Sequence, residues 1–204
     1  MFLGISNKDL LQKKKAAKQA VRKVRKVAWN NRAGKSIEER PEQVNQRKEF
    51  GHWEIDLVVG RQRSKPVILT LVERQTRKSI YVLVKNKTQK EVLQAVRRAH
   101  RRVKGDFTQV FKSITADNGS EFLDSKGLQK AAKCDEVYYA HPFSSWERGS
   151  NENGNRILRR FLPKGTDFST LKPRDLKRIK DWVNNYPRKI FGYKTANDMY
   201  AAAA

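Results

Sequence analysis

Cys134 is the only cysteine in the chain, and His52, His100 and His141 are the only histidines. No intrachain disulfide can form, and a Cys/His zinc finger or knuckle cannot be assembled. A metal partner is therefore expected to be a hard cation on oxygen ligands. Long apolar runs are missing as well. No stretch approaches the ~20 residues of a membrane span, and the apolar start at residues 1–5 is too short for a signal peptide. An intracellular, cytoplasmic chain without a membrane partner is expected. Acid is the third scarcity: 21 Asp and Glu stand against 45 Lys and Arg, a net charge of +24 in 204 residues. Such an excess repels itself, and a polyanion relieves it. Nucleic acid is the commonest polyanion to do so, and an anionic membrane surface is the weaker alternative.

The charge is not spread evenly. Lys13, Lys14, Lys15, Lys18, Arg22, Lys23, Arg25 and Lys26 follow one another with no acid between them, while Leu10, Leu11, Ala17, Val21, Val24 and Val27 give part of a helical stripe. We read residues 1–50 as a basic helical arm for phosphates followed by a linker, the bland alternative being a solvated charged helix. Residues 51–200 form the core. Alternation at Trp53, Ile55, Leu57 and Val59 predicts a strand. The runs 67–72 and 80–84 predict two more, joined by short polar loops as an antiparallel meander. Thr88 with Glu91 reads as a capping box opening a helix with Val92, Val96, Ala99 and Val103 on one face, ended by Gly105. A fourth strand is expected over 110–115, a helix over 122–133 and a short strand over 137–139. Helices then follow over 151–162 and from Pro173, which suits a first helical turn. This order predicts an α/β fold, an RNase H-like mixed five-stranded sheet flanked by helices, with the basic helical N-terminal extension.

Three acids stand where chemistry can use them. Asp56 lies in an apolar strand, where a carboxylate is costly unless paired. Glu54 shares its face. The bland reading is a salt bridge. Repulsion between two carboxylates on one face favours a cation, with Asp56 as ligand and Glu54 as a supporting group or alternative ligand. Asp117 ends the fourth strand in the run Thr115-Ala116-Asp117-Asn118-Gly119, which is also ordinary turn chemistry. Glu152 opens a helix, where an acid suits the dipole in any case. Arg156 is four residues on and within reach of Glu152, and Arg159 and Arg160 face phosphates on the same side. Together the three acids suit phosphoryl transfer by two Mg²⁺ ions, which hold the attacking and leaving oxygens.

At these residues the sequence resembles the DDE transposases and retroviral-type integrases, and more closely the insertion-sequence-thirty family. The spacings are 61 residues (117 − 56) and 35 residues (152 − 117). Trp53-Glu54-Ile55-Asp56, Trp146-Glu147-Arg148-Gly149-Ser150-Asn151-Glu152-Asn153 and Phe161-Leu162-Pro163-Lys164-Gly165 carry the resemblance, which runs from about Ser36 to Tyr200. It implies Asp56, Asp117 and Glu152 as catalytic, metal-binding residues, with Mg²⁺ replaceable by Mn²⁺. It also implies nicking at mobile-element ends, 3′-OH strand transfer into target DNA, and a homo-oligomer on paired DNA ends, nucleoid-associated when bound. The family's N-terminal helix-turn-helix is not found in residues 1–50, so a partial chain is expected. His52, Ile55, Ser145 and Ala196 also depart from the residues usual at those places.

Two rivals remain at this point: a catalytically inactive DNA-binding remnant, and a plain nuclease of the same fold. Arg148 joins the expected DNA contacts. Trp146 is expected first to anchor its loop, and otherwise to stack on a base. Tyr139 is expected in the core, and Lys164, Arg188 and Lys189 on DNA backbone.

Overall fold

The computed structural model describes residues 34–103, 110–142 and 144–203. The basic run from Lys13 to Lys26 and the helix stop at Gly105 lie outside the described residues. Six strands form one sheet: β1 (Lys35–Ser36), β2 (His52–Val59), β3 (Val67–Glu73), β4 (Ser79–Val84), β5 (Ser113–Ala116) and β6 (Glu136–Tyr139), in the spatial order β1-β6-β5-β2-β3-β4. The expected meander is there: β2 pairs antiparallel with β3, and β3 with β4. β5 runs parallel to both β2 and β6. All five expected strands form. The sixth, β1, pairs parallel with β6 through Lys35↔Tyr138 and Ser36↔Tyr139. Two residues carry no readable alternation, which is why the segment reads as linker in the sequence.

Period-two alternation sorts the side chains to the two faces. Trp53, Ile55, Leu69, Leu71, Val82, Val84, Ile114 and Val137 point to one core. Over it lie α2 (Gln89–Arg101) and α3 (Ser125–Ala132). Val92, Ala95, Val96 and Ala99 make the buried stripe of α2. Trp53 stacks on Phe111 at 4.8 Å and donates its indole N–H to Val110 O at 2.6 Å. Val110 and Phe111 precede β5, so the fourth strand is shorter than expected. Tyr139 is core, as expected, with its hydroxyl donated to Phe122 O at 2.6 Å.

On the opposite face, Val58, Ile68 and Tyr81 meet Ile157, Leu158, Leu176 and Val183. These last four belong to α4 (Gly149–Phe161) and α5 (Pro173–Asn185). Pro173 takes the first turn of α5, as expected. Asn184 clamps the edge strand β4, accepting from Ser79 N at 2.8 Å and donating to Ser79 O at 2.9 Å. A short α1 (Glu42–Asn45) and a terminal α6 (Ala196–Ala203) complete the helices named here.

The capping box at Thr88 does not form. Its side chain accepts no helix N–H, and its hydroxyl donates to Asn86 Oδ1 at 2.7 Å. A capping box does form at Ser36, whose N–H donates to Glu39 Oε1 at 2.8 Å, opening a single turn, Ile37–Glu39.

Candidate active site

Strand register brings the first two acids together. Glu54 is level with Thr115 on the neighbouring parallel strand, so Asp56 lies beside Asp117, just past the end of β5. Adjacent strands are ~4.8 Å apart. Arg148, immediately before α4, reaches into this gap. Its Nη1 lies 3.4 Å from Asp56 Oδ1 and its Nη2 3.2 Å from Asp117 Oδ2. Nη1 also donates to Ile55 O at 3.3 Å. Arg148 was expected on DNA; here its guanidinium holds the two carboxylates.

Asp56 is fixed on both oxygens. Oδ1 accepts from Leu57 N at 2.9 Å, and Oδ2 accepts from Asn155 Nδ2 at 2.7 Å. Its pKa is raised, chiefly by burial and further by Asp117, against the lowering effect of Arg148. The site therefore penalises a bare anion at Asp56 and rewards a nearby cation.

Glu152 sits in the first turn of α4, exposed to solvent. The structure does not bring it into contact with Asp56 or Asp117. Among the described residues, no three His, Cys, Asp or Glu side chains are gathered closely enough to hold a metal. Yet the donor set near Arg148 suits one. It offers hard carboxylate oxygens, a cation already lies between two of them, and the amide oxygens Asn118 Oδ1 and Asn155 Oδ1 are buried without a hydrogen-bond partner. Asp56 and Asp117 would be the residues to hold a divalent cation there, and Glu152 lies three residues before Asn155 on the same helix.

Both Glu54 oxygens are engaged within the protein. The residue is fully buried, with Oε1 accepting from Arg74 Nη1 at 2.5 Å and Oε2 from the backbone N–H of Asn151 at 2.7 Å. Each acid on that strand face has an arginine beside it, Arg74 at Glu54 and Arg148 at Asp56, which is the salt-bridge arrangement weighed above.

The remaining basic residues divide. Arg156 and Arg160 are exposed on α4, and Arg156 donates to Asn153 Oδ1 at 2.5 Å instead of reaching Glu152. Asn153 is nearer along the helix. Arg159 donates to Val59 O at 2.7 Å and to Leu162 O at 3.4 Å, so its guanidinium ties the helix end to β2 instead of facing a phosphate. Arg188 is buried and donates to Val183 O at 3.3 Å, which corrects its expected place on DNA backbone; Lys164 and Lys189 are exposed. Trp146 is 71% exposed, so it anchors nothing within the described residues, against the expectation of a loop anchor. Asn151 and Asn155, which the sequence offered only as part of a polar stretch, are the helix residues that bond to Glu54 and Asp56. Their spacing of four, one helical turn, was the available signal.

Carboxylates on adjacent parallel strands of a mixed sheet, beside the first turn of a helix packed on its face, define an RNase H-like core of the integrase type. The integrase core domain family matches residues 46–143. The chain is 45% identical over 168 residues to the "Probable transposase for insertion-like sequence element IS1161" of Streptococcus salivarius, covering 82% of this chain and 46% of that protein. It is 34% identical over 172 residues to transposase InsI for insertion sequence element IS30A of Escherichia coli K12, covering 81% of this chain and 42% of that protein. The chain thus spans less than half the length of these relatives. Among solved structures, a chain of the simian T-cell lymphotropic virus intasome in complex with PP2A regulatory subunit B56 gamma aligns at TM-score 0.57 and 19% identity, over 74% of this chain and 54% of that one. That likeness shows the fold. These matches support a relationship to the IS30-family DDE transposases.

Proposed function

We propose that this chain is the catalytic core of a transposase that nicks DNA at mobile-element ends and joins the freed 3′-OH to target DNA. The observation that carries this reading is the convergence of Asp56 and Asp117, from adjacent parallel strands, on one cationic group at 3.4 and 3.2 Å. In cleavage, a water oxygen bonds to phosphorus and the bond to the bridging 3′ oxygen breaks, leaving a 3′-OH and a 5′-phosphate. In joining, that 3′-OH attacks a target phosphorus and the target's bridging oxygen leaves. Divalent metal, Mg²⁺ or Mn²⁺, would neutralise charge on the attacking and leaving oxygens. Asp56 and Asp117 would hold it, with Glu152 completing the set. Asn155 orients the Asp56 carboxylate, and Arg148 balances the two acids when the metal is away. Arg156, Arg160 and the basic run at residues 13–26 supply phosphate contacts, and two DNA ends call for a homo-oligomer. The chain would then work in the cytoplasm, on the nucleoid. No helix among the described residues is long and apolar enough to cross a membrane.

The deciding experiment is nicking of supercoiled plasmid in Mg²⁺ or Mn²⁺, beside Asp117→Asn. Metal-dependent nicking by the parent and none by the variant supports the reading. No nicking by either on a pre-nicked element end, with DNA binding retained, leaves the non-catalytic DNA-binding remnant. Hydrolysis without strand transfer from a recessed 3′-OH leaves the nuclease.

A further inference from the structure

We propose that Glu54 is a positioning residue that sets the register of α4 on β2, and with it where Glu152 stands along the helix relative to Asp56. The proposal rests on the reading of Asp56 and Glu152 as site residues.

A carboxylate with no exposed surface is costly, and here each of its oxygens has a donor. Arg74 neutralises it at 2.5 Å, and Asn151 N donates to it at 2.7 Å. Arg74 is itself buried, with its Nε donated to Val44 O at 3.2 Å. Stability alone does not ask for such a pair, since well-packed apolar residues in place of a buried ion pair are often as stable or more so. What the pair supplies is a fixed acceptor at one point on the strand for one N–H of the helix.

A second rung lies two strand residues and one helical turn further along. Asp56 accepts from Asn155 at 2.7 Å. From residue 54 to 56 the strand advances about 6.7 Å, and from 151 to 155 the helix advances about 6 Å. The two spacings nearly match, so both rungs close in a single axial register. Thr70 on β3 steadies the first rung by donating its hydroxyl to Asn151 Oδ1 at 2.9 Å. Gly154, between the rungs, lets the helix lie low: a Cβ there would come 3.1 Å from Val72 Cγ2. Glu152 sits between the same rungs. A slip of one residue would move it about 1.5 Å along the axis and turn it by about 100°. Displacements near 1 Å cost about 10²-fold in rate at a reacting centre.

The test compares two double variants in the full chain. Glu54→Met with Arg74→Met removes both charges and the acceptor. Glu54→Gln with Arg74→Gln removes the charges but keeps an oxygen for Asn151 N. Three readouts are taken: plasmid nicking, Mn²⁺ binding by paramagnetic resonance, and hydrogen exchange of the Asn151 amide. For the methionine pair, with a cooperative melt retained, we expect nicking to fall at least 30-fold, half-saturating Mn²⁺ to rise several-fold, and Asn151 exchange to speed at least tenfold. The glutamine pair is expected to recover at least tenfold of the lost nicking and to slow the exchange again. Unchanged Asn151 exchange and Mn²⁺ binding in a folded methionine pair would overturn the proposal. So would nicking that tracks melting temperature alone across both pairs. If the parent itself does not nick, the proposed function fails, and the exchange and Mn²⁺ readouts still decide the role of Glu54.

Discussion

Arg148 spans Asp56 and Asp117, one guanidinium nitrogen on each carboxylate at 3.4 and 3.2 Å. A cation held there competes with any metal the same oxygens would bind. Arg148→Gln is therefore expected to lower the Mn²⁺ concentration for half-saturation by about fivefold, the ratio that an ion pair worth about 1 kcal/mol gives. Paramagnetic resonance of Mn²⁺ titrated into parent and variant measures it. Equal or weaker Mn²⁺ binding by the variant would mean that Arg148 and the metal do not share these oxygens.

Asn155 donates its side-chain amide to Asp56 Oδ2 at 2.7 Å. Asn155→Ala is expected to cut metal-dependent nicking 10- to 100-fold, the usual cost of losing a group that orients a metal ligand. DNA affinity should stay put. A variant that binds DNA more weakly and nicks in proportion would place Asn155 on the DNA.

Trp146 is largely in solvent. Trp146→Ala should change stability by less than about 0.5 kcal/mol, as surface substitutions do, while weakening binding of single-stranded or frayed DNA. Thermal melts and a DNA titration read the two effects. A melting point several degrees lower would restore the anchoring role.

His141 joins two segments distant in sequence. Its Nδ1 lies 2.8 Å from Glu147 Oε1 and its Nε2 3.3 Å from Glu38 Oε1. The hydrogen bond to Glu147 raises its pKa, and the charges of Glu147 and Glu38 add to the effect. A raised folded pKa means stability that is fully present below the unfolded value near 6.5 and lost as pH rises through the folded value. His52 works the other way. Burial lowers its pKa, so its contribution is present above about 6.5 and lost as pH falls through the folded value. The difference between parent and His141→Gln separates the two. The parent's advantage in melting temperature should be largest near pH 5.5 and shrink by pH 8. An advantage that does not vary with pH would show that His141 stays neutral.

Gly60 has no room for a side chain: a Cβ there would come 2.5 Å from Thr166 O and 3.0 Å from the Phe168 ring. Arg61 N donates to the same Thr166 O at 2.8 Å, so the neighbour is backbone already held in place. Gly60→Ala is expected to destabilise by about 1–3 kcal/mol. Urea unfolding at constant m-value checks this.

Much of the sheet was legible because long apolar alternation is a local signal. β2 declares its faces by alternation, β3 and β4 declare themselves as short apolar runs, and the acids on β2 stood out against that pattern. What escaped was set by partners far along the chain. The Glu54 acceptor sites are filled by Arg74 and by Asn151, 97 residues away. Nothing near Glu54 in the sequence tells a ligand from a buried pair. Arg148 and Arg159 looked like phosphate contacts because a guanidinium reads as solvent-facing until the carboxylates or carbonyls around it are known. Thr88 turns its hydroxyl to Asn86, a preference its own sequence motif did not show.

The pairing of β1 with β6 joins Lys35 to Tyr138, 103 residues apart. Closing so long a loop for two rungs of ladder is entropically unrewarding until the intervening chain is in place. Within the first core, β2, β3 and β4 pair as successive hairpins and can form early. The earliest of the strands to leave the ribosome is therefore expected to be the last to dock. Pulse-labelled hydrogen exchange during refolding should show Ser36 protected after Leu71 and Val82, with the rim of the sheet sealed only once its centre is built.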